Sequence, residues 1–150
     1  MYTPHLFKFE NDKEKIAFIK QYSFATMITV KEGLPIATQL PFYINENSEK
    51  LTLCSHFALA NEQANYIENN TSLIIFSEPH AYISPTHYDK RESVPTWDYI
   101  AVHAYGKAKI IAGEVEKLQA LEQMIQYYEA SYLSQWQSLY LISLKLSKGV

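Results

Sequence analysis

The chain has 150 residues, 47% of them hydrophobic and 19% charged. That length suits one domain able to bury a core without disulfides, and that balance lies far from the composition of disordered chains. A net charge of -3 argues against direct binding to nucleic acid, because such proteins concentrate Lys and Arg on a face.

Tyrosine, at 12 residues, joins an apolar ring to a polar tip and suits surfaces covered by a ligand or a second subunit. Cys54 is the sole cysteine, so no internal disulfide forms and no C-x-x-C metal spacing exists. The start, "MYTPHLFKFENDKEK", lacks the basic and apolar regions of a signal peptide, and no apolar run approaches the roughly 20 residues of a membrane helix. These features predict a cytoplasmic protein.

In chain order, "NDKEKIAFIKQY" predicts a short amphipathic helix capped at Asn11 or Asp12, with Ile16, Phe18 and Ile19 turned toward a sheet. "FATMITV" at 24–30 predicts a strand, "KEG" at 31–33 a tight turn, and "LPIATQLPFYI" the returning strand of a hairpin. Pro35 and Pro41 each remove a ladder donor, which places that strand at an edge. "NENSEK" reads as a polar turn, "LTLCS" as a strand, and "ALANEQANYIEN" as a short helix built on good formers, among them Glu62 and Gln63.

"TSLIIFS" at 71–77 predicts a buried strand. A rigid, proline-rich stretch at 79–95 follows, and residues 96–111 predict a long strand. Along it, Trp97, Tyr99, Ala101, His103 and Tyr105 alternate with Asp98, Ile100, Val102 and Ala104. Neither face is polar throughout, so this strand is expected to be covered on both sides. From Gly113 the period becomes helical, with Val115, Leu118, Leu121, Met124, Ile125 and Tyr128 on one stripe. Residues 129–150 suggest another short helix and a last strand. With no repeat or linker, the expectation is one α+β domain, mainly β, arranged as a β-barrel with peripheral helices.

Few constellations carry chemistry. The junction "LTLCSHFALANEQ" is the best candidate anion site from spacing, with unpaired N–H groups at a helix start and Ser55 and His56 as added donors. Its plainer reading is Ser55 as a helix cap. His80, His87 and His103, with Asp89 and Asp98, fit no compact metal-ligand spacing, so no metal is expected. Cys54 has no evident activating base and no G-x-S-x-G elbow exists. Glu46 with Glu49 and Glu114 with Glu116 read as solvated carboxylates. The absence of a self-contained catalytic set favours a borrowed cofactor or a binding role.

"PIATQLP", "SHFALANEQ", "PHAYISPTHY" and "VPTWDYIAVHAYG", in this order and spacing within a stretch from residue 1 to about Ile111, resemble the PaiB family of FMN-binding negative transcriptional regulators. The resemblance implies a split β-barrel like that of pyridoxamine-phosphate oxidase, assembled as a homodimer with FMN in clefts shared by both subunits. It implies a flavin ring along "IATQL", with polar contacts from Thr38 and Gln39. It further implies a phosphate at Ser55, His56 and Asn61, and a site lined or closed by Tyr82, Trp97 and His103.

Two departures bear on affinity. The family shows a basic residue within the "HFALAN" motif where this chain has Leu59, and commonly a Trp where "SPTHY" has His87. Losing a charge-assisted phosphate contact predicts FMN affinity weaker by about ten- to a hundredfold. Two other readings stay open at this point: a flavin-dependent NAD(P)H oxidoreductase, and a dimeric binding protein that has lost the cofactor.

Overall fold

Asn11 begins the first helix in the way its side chain permits: Oδ1 accepts hydrogen bonds from the backbone N–H groups of Lys13 and Glu14, meeting two of the donors a helix start leaves unpaired. The structure is a computed structural model and describes residues 3–8, 10–45, 50–58, 60–90 and 92–139. Helix α1 (Asp12–Gln21) buries Phe18 and Ile19. Strands β1 (Phe24–Lys31) and β2 (Leu34–Pro41) then form the expected hairpin. The two-residue connection is Glu32 and Gly33, with φ of 51° and 85°, the left-handed pair that matches strand twist in tight hairpins.

Among the described residues, the main sheet has four strands in the order β2-β1-β5-β6, where β5 is Thr71–Ile83 and β6 is Thr96–Lys107. All neighbours are antiparallel. β2 is an edge strand, as its two prolines require. β5 is longer than the sequence suggests, because residues 79–83 of the proline-rich stretch continue the strand after a register shift between Ser77 and His80. A shift of this kind lets the ladder pass a proline that cannot donate. β1 pairs β5 only at Leu73–Ile75. Beyond it, β5 and β6 run on as a two-stranded ribbon whose residues 77–82 and 96–100 are all exposed.

Register decides which face is the core. Ala25, Met27 and Thr29 of β1, Leu40 of β2, and Ser72 and Phe76 of β5 are buried on one face. Phe76 is fully inaccessible and meets Phe42 edge-on, with ring centroids 5.7 Å apart. Thr29 and Ser72 are polar but satisfy each other, their hydroxyls lying 2.8 Å apart.

Two readings of the sequence change here. "ALANEQANYIEN" is not a helix of three turns. It is a 3₁₀ turn at Glu62–Asn65 capped by Asn61, whose side chain accepts from the Gln63 N–H. The segment has good formers but no apolar stripe, and a helix this short needs a buried face to persist. β6 ends at Lys107 and not at residue 111.

The chain divides into two compact units, Met1–Phe42 with His56–Lys109, and Tyr43–Ser55 with Ile110–Val150. The second holds the short pair β3 (Tyr43–Ile44) and β4 (Leu53–Cys54), helix α2 (Glu114–Glu129), a 3₁₀ turn at Ala130–Tyr132, and helical residues 133–139. Tyr43 is its anchor. The ring lies 6.5 Å from that of Tyr127 and the hydroxyl donates to Gln123 Oε1 at 3.1 Å. Burial, with a hydrogen bond involving Cys54, raises its pKa above the ordinary tyrosine value. Of the predicted stripe on α2, Met124 is buried while Val115 and Tyr128 stay exposed. The suggested last strand, Glu46 and Glu49 lie outside the described residues.

Replacing Phe76 by Ala should cost about 3–5 kcal/mol of stability, because it removes a fully buried ring and leaves a cavity. Denaturant melts of the two proteins check this, and a difference below about 1 kcal/mol would show that this ring is not the centre of the core.

Candidate functional site

Antiparallel partners share a face, so the strand register sorts the candidate residues before any distance is measured. Gln39 pairs Thr26, Thr26 pairs Ile75, and Ile75 pairs His103. These four form one row across the whole sheet on the face opposite the core. On the same face of the ribbon, Tyr82 pairs Trp97 and His80 pairs Tyr99. The Tyr82 and Trp97 rings meet edge-on at 5.6 Å, and His80 lies 6.1 Å from Trp97.

This aromatic face is open. Tyr82, Trp97, Tyr99 and Tyr105 are each more than half exposed. His103 is half-buried beside them, and its Nδ1 is sealed from solvent with no hydrogen-bond partner among the described residues. Burial lowers its pKa below the ordinary 6.5, so the ring is neutral near pH 7. A buried ring nitrogen without a partner costs free energy unless something supplies one.

Thr38 points the other way. It is adjacent to Gln39 and therefore faces the core side, where its hydroxyl donates to Gln63 Oε1 at 2.6 Å and accepts from Asn61 Nδ2 at 3.0 Å. Gln63 is 2% exposed. Its Nε2 donates to the Met27 carbonyl at 3.0 Å and to Thr29 Oγ1 at 3.1 Å, which continues to Ser72. Its backbone N–H is held by Asn61 Oδ1 at 3.0 Å. Gln63 is thus the hub of a buried polar cluster, a role the sequence reading missed by counting it as a helix former. The signal available was the short spacing Asn61-x-Gln63, an Asn cap aimed at a donor two residues on.

The eight candidates therefore do not gather at one point. Thr38 and Asn61 are joined on the core side of β2. Gln39, His103, Tyr82 and Trp97 share the outer face. His56 is exposed in the loop that precedes Asn61, and Ser55 belongs to the second compact unit. Among the described residues no helix begins at Ser55, and the next helical residue is Glu62, capped by Asn61. The helix start expected at Ser55 therefore falls, among these residues, at Glu62, with Asn61 as its cap. Leu59 lies outside the described residues. Among the described residues no three His, Cys, Asp or Glu side chains gather to hold a metal ion, and no helix is long and apolar enough to cross a membrane.

An antiparallel sheet with aromatic side chains and the partnerless His103 on its outer face, together with two helices, makes an α+β protein that is mainly β, the fold of flavin-binding split-barrel structures. Two solved structures have this fold. The flavocytochrome Anf3 of Azotobacter vinelandii superposes with a TM-score of 0.60 at 17% identity, covering 77% of this chain and 51% of its own. The FAD and heme binding protein of Mycobacterium smegmatis gives 0.63 at 11% identity, covering 83% and 57%.

The chain belongs to the sequence family described as "Putative FMN-binding domain", matched over residues 1–141. It is 42% identical over 130 residues to the protease synthase and sporulation protein PAI 2 of Bacillus subtilis, covering 86% of this chain and 62% of that protein. An uncharacterized protein of Saccharomyces cerevisiae is 31% identical over 88 residues, covering 55% of this chain and 52% of its own length. The chain thus spans little more than half the length of these relatives.

The lowered pKa of His103 has a sign that experiment can read. A group whose folded value is depressed contributes stability that is complete above its unfolded value and lost as pH falls through that value toward the folded one. The melting temperature of the protein should fall between pH 7 and pH 5, and His103→Leu should flatten that fall. Equal slopes for the two proteins would remove His103 as the acid-sensitive group.

Proposed function

We propose that the chain binds FMN as a homodimer, with each flavin held by the core-side group of one subunit and the outer face of the other, and that it serves as a regulatory protein of the PaiB kind. One observation carries this reading: the candidates divide between the two sides of a single sheet, Thr38 with Asn61 on the core side and Gln39, His103, Tyr82 and Trp97 on the outer face. A flat ring resting on one face does not touch residues on the other. A second copy resolves this by bringing its own outer face to the first copy's Thr38, His56 and Asn61.

The donor set fits the cofactor. Among the described residues Asn61 commits one amide hydrogen, to Thr38, and the other suits a phosphate oxygen. Gln39 and the partnerless His103 Nδ1 suit the polar edge of the ring, while Tyr82 and Trp97 offer apolar surface to its face. When bound, FMN supplies hydride and electron transfer, and the protein's part is to hold and orient it. The exposed ribbon at 77–83 and 96–101 suits the seam of such a dimer, since its proline limits the entropy lost on ordering. A net charge of -3 favours regulation through a metabolite or a protein partner and not through DNA.

Mixing two defective variants tests the shared site. Asn61→Ala and Trp97→Ala should each weaken FMN binding, read as loss of flavin fluorescence quenching. Subunit exchange should restore full-affinity binding to about a quarter of the chains, because half the dimers are mixed and each mixed dimer has one intact site. Wild-type binding with no recovery on mixing would place the whole site within one chain.

A second test concerns the position where the family is basic. Leu59→Arg should tighten FMN binding about ten- to a hundredfold by adding a charge-assisted contact. Equal affinities by titration would move the phosphate away from the "SHFALAN" segment.

A further inference from the structure

We propose that Gln63 is a positioning residue: it sets the direction of every hydrogen bond between Met27 and Asn61, so that Asn61 turns an N–H donor, and not its carbonyl oxygen, toward an anionic group of the ligand. This rests on the FMN reading above and assigns a ligand polarity to part of that site.

The direction follows from one atom that has no choice. The Met27 carbonyl only accepts, so the Gln63 side-chain atom 3.0 Å from it is the amide nitrogen. That nitrogen has two hydrogens, and Thr29 Oγ1 takes the second at 3.1 Å; the Ile36 carbonyl at 3.5 Å is a long third contact. Gln63 Oε1 is therefore the atom that faces Thr38, and an amide oxygen only accepts. The Thr38 hydroxyl must donate to it, at 2.6 Å. With its hydrogen committed, Thr38 meets Asn61 with a lone pair, so Asn61 turns Nδ2 toward it at 3.0 Å. Asn61 Oδ1 then faces the Gln63 backbone N–H at 3.0 Å, which closes the ring of bonds.

The orientation is over-determined because it is buried. Gln63 and Thr29 are 2% and 1% exposed, so water does not compete, and each misdirected group would sit unpaired. What remains at the half-buried end of the chain is one amide hydrogen on Asn61 and one lone pair on Thr38. Thr38 thus faces a ligand as an acceptor only. Asn61 is the donor, and a donor favours phosphate over an uncharged hydroxyl at the same place.

FMN and riboflavin differ by that phosphate, and titrating the full chain with each tests the assignment. Wild type should prefer FMN. Gln63→Met keeps the side chain's length but neither donates nor accepts, so Thr38 and Asn61 lose their imposed direction. FMN affinity should fall about tenfold while riboflavin affinity stays within about twofold. In an Asn61→Ala background the same change should have no further effect on FMN, because both act through one contact.

Gln63→Glu provides a second route should the Met variant not fold. A carboxyl, neutral or ionised, still accepts from Thr38, and the neutral form also donates to Met27, so the direction at Thr38 and Asn61 is kept. Titrated at a pH low enough to keep the carboxyl neutral, this variant should therefore prefer FMN over riboflavin as wild type does. A Gln63→Glu protein that has lost that preference would overturn the assignment, as would equal losses for both flavins, or an unchanged preference for FMN, in Gln63→Met. A wild-type protein that binds neither flavin overturns the flavin reading and this assignment together, whereas a selective wild type with an equally selective Gln63→Met overturns this assignment alone.

Discussion

Alternation of side chains along a strand, carried in one register from β2 to β6 as far as the shift after Ser77, is the constraint on which this molecule rests. Thr38 pairs Met27 and Met27 pairs Ile74, while one residue on, Gln39 pairs Thr26 and Thr26 pairs Ile75. A slip of one position would turn Phe76 and Met27 outward and bring Gln39 and His103 into the core. Burial of the apolar row holds the register, and the register in turn decides which polar residues a ligand meets. Core packing and site geometry are here one constraint seen from two faces of a sheet.

The buried amide of Gln63 adds specificity where apolar packing alone would not. A Leu at this position would fill space but take one hydrogen-bond partner each from the Met27 carbonyl, Thr29 and Thr38, and a buried polar group left unsatisfied costs about 1–3 kcal/mol. With Gln63 present the segment at 61–65 is fastened to the hairpin β1–β2 through directional bonds, and it needs no helix of its own to stay in place. A segment that sequence propensity reads as helical is thus held as a 3₁₀ turn by a side-chain bond into the sheet. Tertiary hydrogen bonding has overridden local preference.

This explains what was legible in the sequence. The β1–β2 hairpin was readable because Gly33, the prolines and the β-branched run each speak locally. Helix α1 was readable from its cap and stripe, and the two faces of β6 from strict alternation. The 3₁₀ turn was not, since the atoms that fix it lie in Met27, Thr29 and Thr38, more than twenty residues away. The same limit applies to the site. Resemblance supplied Thr38 and Gln39 as neighbours along one ring, but adjacency in a strand means opposite faces, and only the register shows which residues each one joins.

In the proposed FMN site, two features of the segment at 55–63 act in opposite directions on a phosphate. Leu59 withholds the cation that the family motif carries, and neutral hydrogen bonds are roughly half as strong as charge-assisted ones. The Asn61 donor, by contrast, is held in one orientation by a buried cluster, so little entropy is lost in presenting it. Affinity at such a segment falls while directional preference persists, and salt screens a neutral donor far less than it screens an exposed arginine. A phosphate bound this way is recognised by where its oxygens lie more than by its charge, and the net charge of -3 then opposes the anion only through the long-range field that ordinary ionic strength suppresses.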